Sequence, residues 1–327
     1  IESKHETLIS NSTIKTLDIG EIKIRGEEIQ ITDHSNLESH SGKITIGGEF
    51  QGGKNEANYL DTNAQFVHVS SSVDIDVNGS VNNVDAGEVI LWSDDTTVFK
   101  GDIQANGFND NGSGGFVEVS GKETLVFRGD VTTTSENGKT GTLLLDPDTI
   151  TIADGAGTST DNDGVVLFAD YSDTAITIYE ADLEAIAAGT NINLQADEAI
   201  IINDLTDNAL TLNQTGTVTF SVSNNSGQAT FEMLDLNDSI DMTGGGDLTI
   251  DLKGNVALDT GSGVAPYTAY ANVGDINMTS GGDFNLHLSA EGSGITSDEL
   301  VASVQNVEIT GDGRVRIELE NNTTPSL

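Results

Sequence analysis

One phrase occurs three times in this 327-residue chain. Gly87-Glu88-Val89-Ile90-Leu91 returns as Gly115-Phe116-Val117-Glu118-Val119, and again as Gly141-Thr142-Leu143-Leu144-Leu145. A second phrase travels with it: Val98-Phe99-Lys100-Gly101-Asp102-Ile103 comes back as Val126-Phe127-Arg128-Gly129-Asp130-Val131. Short strands recurring at a period of roughly 20 to 50 residues mark a stacked repeat. A single repeat of that size cannot bury its own apolar face, so the core has to form between neighbouring copies. The chain is thereby directed toward a solenoid. A solenoid offers a long, regular surface, which points to adhesion or fibre building before catalysis.

Local patterning agrees. Ile14-Lys15-Thr16-Leu17-Asp18-Ile19, Glu21-Ile22-Lys23-Ile24 and Lys43-Ile44-Thr45-Ile46 place apolar residues at every second position. That alternation turns one face of a strand inward and the other outward. Apolar content is 36%, mostly Ile, Val and Leu, so the core is aliphatic; 37 Gly and abundant Asn and Asp supply the turns between strands. The in-register periodicity argues against disorder. Gly79, Gly101 and Gly129 read as one recurring corner, requiring either a positive φ or a close approach between coils. Residues 51–63 read as a loop leaving the stack.

The expected fold is all-β: a right-handed parallel β-helix, or β-solenoid, over residues 1–150. Residues 151–327 are expected to continue it or to form a second β domain, acidic and looser. The boundary falls after Leu145-Asp146-Pro147, a rigid turn. One short helix is expected over residues 180–188. Leu183, Ile186 and Ala187 share a face there, and Gly189 stands where a C-terminal cap belongs.

Charge removes several classes of function. Lys and Arg number 13 against 53 Asp and Glu, a net charge of −40, and no Lys or Arg lies between Lys139 and Lys253. Nucleic-acid binding and binding to anionic membranes both depend on cationic side chains. Neither is expected. There is no cysteine, so stability has to come from packing and hydrogen-bond ladders. No apolar run is long enough to span a membrane as a helix. The chain begins at Ile1 without an initiator Met or a signal peptide, and reads as a processed or excised piece of something longer.

Four segments together resemble a known family. They are Gly42-Lys43-Ile44-Thr45-Ile46-Gly47-Gly48-Glu49-Phe50-Gln51-Gly52, the phrase from Gly87 to Trp92, Gly114-Gly115-Phe116-Val117-Glu118-Val119-Ser120-Gly121-Lys122, and Asn137-Gly138-Lys139-Thr140-Gly141-Thr142-Leu143-Leu144-Leu145-Asp146-Pro147. In this order the chain resembles the filamentous haemagglutinin-like exoproteins of bacterial two-partner secretion, which include the high-molecular-weight adhesins. The likeness extends over residues 20–220, since residues 183–194 and 210–220 follow the family's pattern after the Leu-Asp-Pro turn. It implies a right-handed parallel β-helix exported through an outer-membrane β-barrel partner to the exterior of a Gram-negative-type cell. It implies a role in adhesion or in a biofilm matrix, and no catalytic residue to carry over. The family's amino-terminal secretion domain is not recognisable before Ile1.

Few residues present themselves as sites. Arg128-Gly129-Asp130 is a tripeptide that some integrins bind, yet it occupies the repeat position of Lys100-Gly101-Asp102, which a β-helix corner explains. Asp154, Asp161 and Asp163, with Asn162 and Gly164, offer oxygen ligands in one loop, as Ca²⁺ requires. Calcium is the one cofactor the sequence raises, although the spacing matches neither an EF-hand nor a glycine-rich calcium repeat. Asp235, Asp238 and Asp241, and Asp74 with Asp76, are lesser groupings of the same kind. His68 and His287 fall on outward positions of their strands, and Trp92 is expected inside the stack or at a coil edge. A nucleophile elbow and a phosphate loop are both missing. The expectation is a secreted adhesin or matrix protein whose protein or glycan ligand is unspecified. A self-assembling filament subunit is the second reading, and a polysaccharide-active β-helix enzyme the third.

Overall fold

The computed structural model describes residues 1–53, 62–156, 178–255, 268–291 and 300–321, and the described chain is β almost throughout. Strands pair in parallel with their equivalents one coil later: Glu6 lies against Glu28, Glu88 against Phe116, and Phe116 against Thr142. Parallel pairing between successive turns of one chain defines a parallel β-solenoid, as the repeat requires. The chain divides into two units, Ile1–Pro147 with Ala156–Ile192, and Asp148–Gly155 with Asn193–Leu327. The second unit takes in the strand at 149–153, while the helix belongs to the first.

In the first unit each coil contributes to three ladders. The first ladder contains Glu21–Ile24, Lys43–Ile46, the start of Glu88–Phe99, Phe116–Gly121 and Gly141–Leu145. The second contains Glu6–Ser10, Glu28–Thr32, Ala64–Val69, the end of Glu88–Phe99, Thr124–Phe127 and Ile178–Tyr179. Thr13–Lys15, Asn36–Glu38, Asp74–Asp76, Asp102–Gln104 and Asp130–Thr132 form the third. In-register pairing sets like residues above like. Ile22, Ile44, Val89, Val117 and Leu143 make one inward column, and Ile9, Ile31, Val69, Phe99, Phe127 and Ile178 another. All of these are buried, and the Phe99 and Phe127 rings lie 5.7 Å apart. Dispersion along such a stack replaces the side-to-side packing of a globular core.

The second unit repeats this scheme with longer strands. Thr217–Asn224, Asp247–Asn255, Phe284–Glu291 and Val315–Asn321 form one ladder; Val218, Leu248, Phe284 and Val315 form one of its inward columns. Thr149–Ala153, Ala199–Ile202, Ala229–Met233 and the starts of Ala269–Met278 and Leu300–Ile309 form another. Ala209–Leu212 and Ser239–Met242 continue onto the ends of those last two strands.

Four expectations change on contact with the structure. Gly79 is not in line with Gly101 and Gly129. Asp102 N–H bonds to Val73 O and Asp130 N–H to Gly101 O, so Val73 holds that place one coil earlier. Gly79 instead pairs toward Gly107, beside a ladder in which Asn78 Oδ1 accepts from Asn106 N–H and Asn106 Oδ1 from Thr134 N–H. None of the three glycines has a positive φ; close approach explains them, since a Cβ on Gly129 would lie 2.4 Å from Gly101 O. The helix is shorter than its apolar stripe: α1 spans Glu180–Glu184, and Gly189 sits in a later turn without a left-handed φ. His68 is fully buried, because the outward face of the second ladder carries Phe66, Val98 and Val126 and is itself buried. A ladder covered on both faces loses the in-out alternation from which exposure is read.

Candidate functional site

The thrice-used glycine phrase builds an extended groove in the first unit. Gly20, Gly42, Gly87, Gly115 and Gly141 stack at the entrance to the first ladder. The first four accept a hydrogen bond at the carbonyl from the coil above: Lys43 N–H to Gly20 O at 2.9 Å, Glu88 N–H to Gly42 O at 2.9 Å, Phe116 N–H to Gly87 O at 3.2 Å and Thr142 N–H to Gly115 O at 3.0 Å. A Cβ on Gly42, Gly87, Gly115 or Gly141 would come within 2.0–2.3 Å of the carbonyl oxygen beneath. Only glycine permits that approach, and a column of residues without side chains leaves a channel.

This open groove has a volume of about 770 Å³ and follows the glycine column from coil to coil. Five residues spaced at one strand separation, roughly 4.8 Å, give it a length of about 19 Å. One wall is the register column Glu21, Lys43, Glu88, Phe116 and Thr142. Ser41, Ser113, Lys139 and Thr140 also line the groove. Lys43 bonds to Glu88 at 3.0 Å and approaches Glu49 at 3.7 Å; Glu49 also holds Lys23 at 2.6 Å and Arg25 at 2.7 Å. Those three cations keep the Glu49 carboxyl below the usual range although burial opposes them.

Beside the groove, residues 48–53 fold over the outward face of the first ladder. Trp92 is buried under them; a Cβ on Gly48 or Gly52 would meet its ring at 2.6 Å. The expectation of a packed tryptophan is met. Phe50 stands edge-on to Phe116 at 5.7 Å, and Gln51 N–H donates to both carboxyl oxygens of Glu118 at 3.1 and 3.2 Å. Glu118 is fully buried, and its carboxyl is pushed up to about 8, by desolvation first and then by Asp146 and Glu88.

The residues singled out in the sequence lie elsewhere. Asp102 and Asp130 pair in register, and Asp74 stands one coil below, so a column of three aspartates lies on the third ladder. Burial, with its two charged neighbours, raises the Asp102 carboxyl. Arg128 turns away from this column. Its guanidinium covers the Tyr179 ring at 4.2 Å, approaches Asp182 at 3.5 Å and donates to Phe127 O at 2.6 Å. Gly129 is buried and Asp130 exposed, so Arg128-Gly129-Asp130 is a corner whose arginine is engaged with Tyr179 and Asp182.

Asp154 accepts from both the N–H and the hydroxyl of Thr206, at 2.6 and 2.7 Å, while Asp161 and Asp163 lie outside the described residues. Asp235 and Asp238 do converge, but Asp204 completes the trio. Asp241 instead accepts from Asn277 at 2.8 Å. Asp238, buried in that trio, is already bonded to Leu205 N–H at 2.9 Å, and desolvation raises its carboxyl. His287 is half-buried and faces outward as its strand position requires, 2.7 Å from Asp251.

Among the described residues no helix is long and apolar enough to cross a membrane. No protein-family model matches this chain, and no curated protein sequence matches it.

Proposed function

We propose that this chain is a binding stalk of an exported adhesin or matrix protein, with the glycine-floored groove as its ligand-contacting surface. The carrying observation is the groove itself: about 770 Å³ along five coils, lined by serine and threonine residues, Phe116 and charged residues of both signs. A linear ligand with a regular repeat, a polysaccharide strand, matches a groove whose glycine floor repeats at the coil spacing. The likeness to filamentous haemagglutinin-like exoproteins supports the same reading, and export through an outer-membrane β-barrel partner belongs to it. The tripeptide corner is not the contact surface in this proposal, because its arginine is engaged with α1.

The test is binding of the purified chain to a panel of neutral and acidic polysaccharides, beside the double variant Thr142→Arg/Lys139→Glu, which fills the groove and reverses one lining charge. Binding that falls on the order of tenfold or more, with an unchanged unfolding midpoint, is the expected result. Equal binding by both proteins would remove the groove from the proposal, and turnover of any polysaccharide would replace it with an enzyme.

A second reading, end-to-end association of copies, is favoured by one observation. Val315, Ile317 and Leu319 continue buried inward columns, yet they are half-exposed on a strand paired through Phe284–Glu291. An apolar strand edge of this kind is a template for a further strand.

A further inference from the structure

In the second unit, register assembles a constellation that strand spacing alone would not bring together. Asp251, His287 and Glu318 lie side by side on Asp247–Asn255, Phe284–Glu291 and Val315–Asn321. Their neighbours Ile250, Leu286 and Ile317 point to the other face. Glu320, two residues beyond Glu318, returns to the face of His287. One ligand atom each from His287, Glu318 and Glu320 lies within 4.8 Å of the other two.

The orientation of the imidazole is the second observation. Its Nδ1 is 2.7 Å from Asp251 Oδ1, which is outside the trio, and its Nε2 faces Glu320 Oε2 at 3.7 Å. With Asp251 accepting from Nδ1–H, the other ring nitrogen is the one turned to Glu320. That carboxylate–histidine pairing is how metal-ligating histidines are held and made more basic. A single charge pair between Asp251 and His287 would need neither glutamate. Arg316 pairs with Glu318 at 2.5 Å and steadies that carboxylate from outside.

We propose that His287, Glu318 and Glu320 form a binding site for a divalent transition-metal ion of the zinc type, with Asp251 as the positioning residue. One imidazole nitrogen and two carboxylate oxygens suit Zn²⁺, with a position left for water. The nitrogen donor discriminates against Ca²⁺ and Mg²⁺, which take oxygen. A bound ion would fasten the strand at 315–321 to its neighbour at 284–291 through side chains as well as through the backbone ladder.

The experiment uses the full chain with Co²⁺ as the spectroscopic stand-in for Zn²⁺, in excess Ca²⁺ to fill carboxylate-only sites on so acidic a protein. The wild-type chain is expected to show a saturable visible d–d band that Zn²⁺ displaces. His287→Gln should abolish the band. Glu320→Gln, at a half-exposed position that leaves folding intact, should weaken Co²⁺ binding on the order of tenfold or more. Asp251→Asn should do likewise, since outer partners are worth roughly 10- to 100-fold. Absence of a band in the wild-type chain, or a band unaltered by Glu320→Gln and His287→Gln, would overturn the site.

Discussion

Glycine in this chain works by absence of a side chain. Gly115 illustrates it: a methyl group there would sit 2.1 Å from Gly87 O and 3.0 Å from the Ala105 Cβ, although its φ is ordinary. Gly115→Ala must therefore separate two coils locally, and its cost is expected to be about 1–3 kcal/mol, the range for overpacking a tight site. Urea unfolding checks it: a midpoint equal to wild type would mean the column is not under steric constraint. Gly87, Gly115 and Gly141 are legible in the sequence because they open the same phrase. Gly20 is not. It stands before Glu21-Ile22-Lys23-Ile24, and the partner residues Glu21, Lys43 and Glu88 are unevenly spaced, so no single period joins it to the others.

At the scale of elements, coverage decides what alternation cannot. Phe116–Gly121 and Ala64–Val69 carry Glu118 and His68 on their outward faces, and both residues are buried there. For Glu118 the cover includes Gln51, brought from a coil far back in sequence. Burial lifts the Glu118 carboxyl from its ordinary 4.5 to about 8, so the folded chain holds the proton more tightly than the unfolded one. Its contribution to stability is complete below pH 4.5 and is lost as pH rises through about 8. Glu118→Gln keeps the neutral shape and removes that loss. The unfolding midpoint of the variant is expected to vary less than wild type between about pH 5 and pH 9. Parallel slopes for the two proteins would show that Glu118 is not the titrating group.

At the scale of the whole molecule, charge governs association. End-to-end joining through the strand at 315–321 has to bring together copies that each carry −40. Repulsion of that size is screened over about 30 Å at 0.01 M salt but over about 3 Å at 1 M. If the half-exposed apolar strand is a joining surface, electron microscopy should show dispersed particles at low salt and ordered filaments at high salt. Dispersed particles at both would leave end-to-end association without support. The same acidity bears on the metal inference: many carboxylates attract cations loosely, but of the two metal-sized trios among the described residues the one at His287 includes a nitrogen.

The sequence by itself determined the all-β stack, the short apolar phrases that form its inward columns, and the acidic character that disfavours polyanionic partners. These follow from period-2 alternation, from repetition and from composition, each of which is local or additive along the chain. Outside the repeated phrases, tertiary structure decided which residues stand above one another. Coil lengths differ, since Glu6 pairs with Glu28 across one coil and Phe284 with Leu248 across a longer one. Columns are therefore set by hydrogen-bond register and not by a constant spacing. The groove over Gly20 to Gly141, the engagement of Arg128 with Tyr179 and the meeting of Asp251, His287, Glu318 and Glu320 all arise from that register.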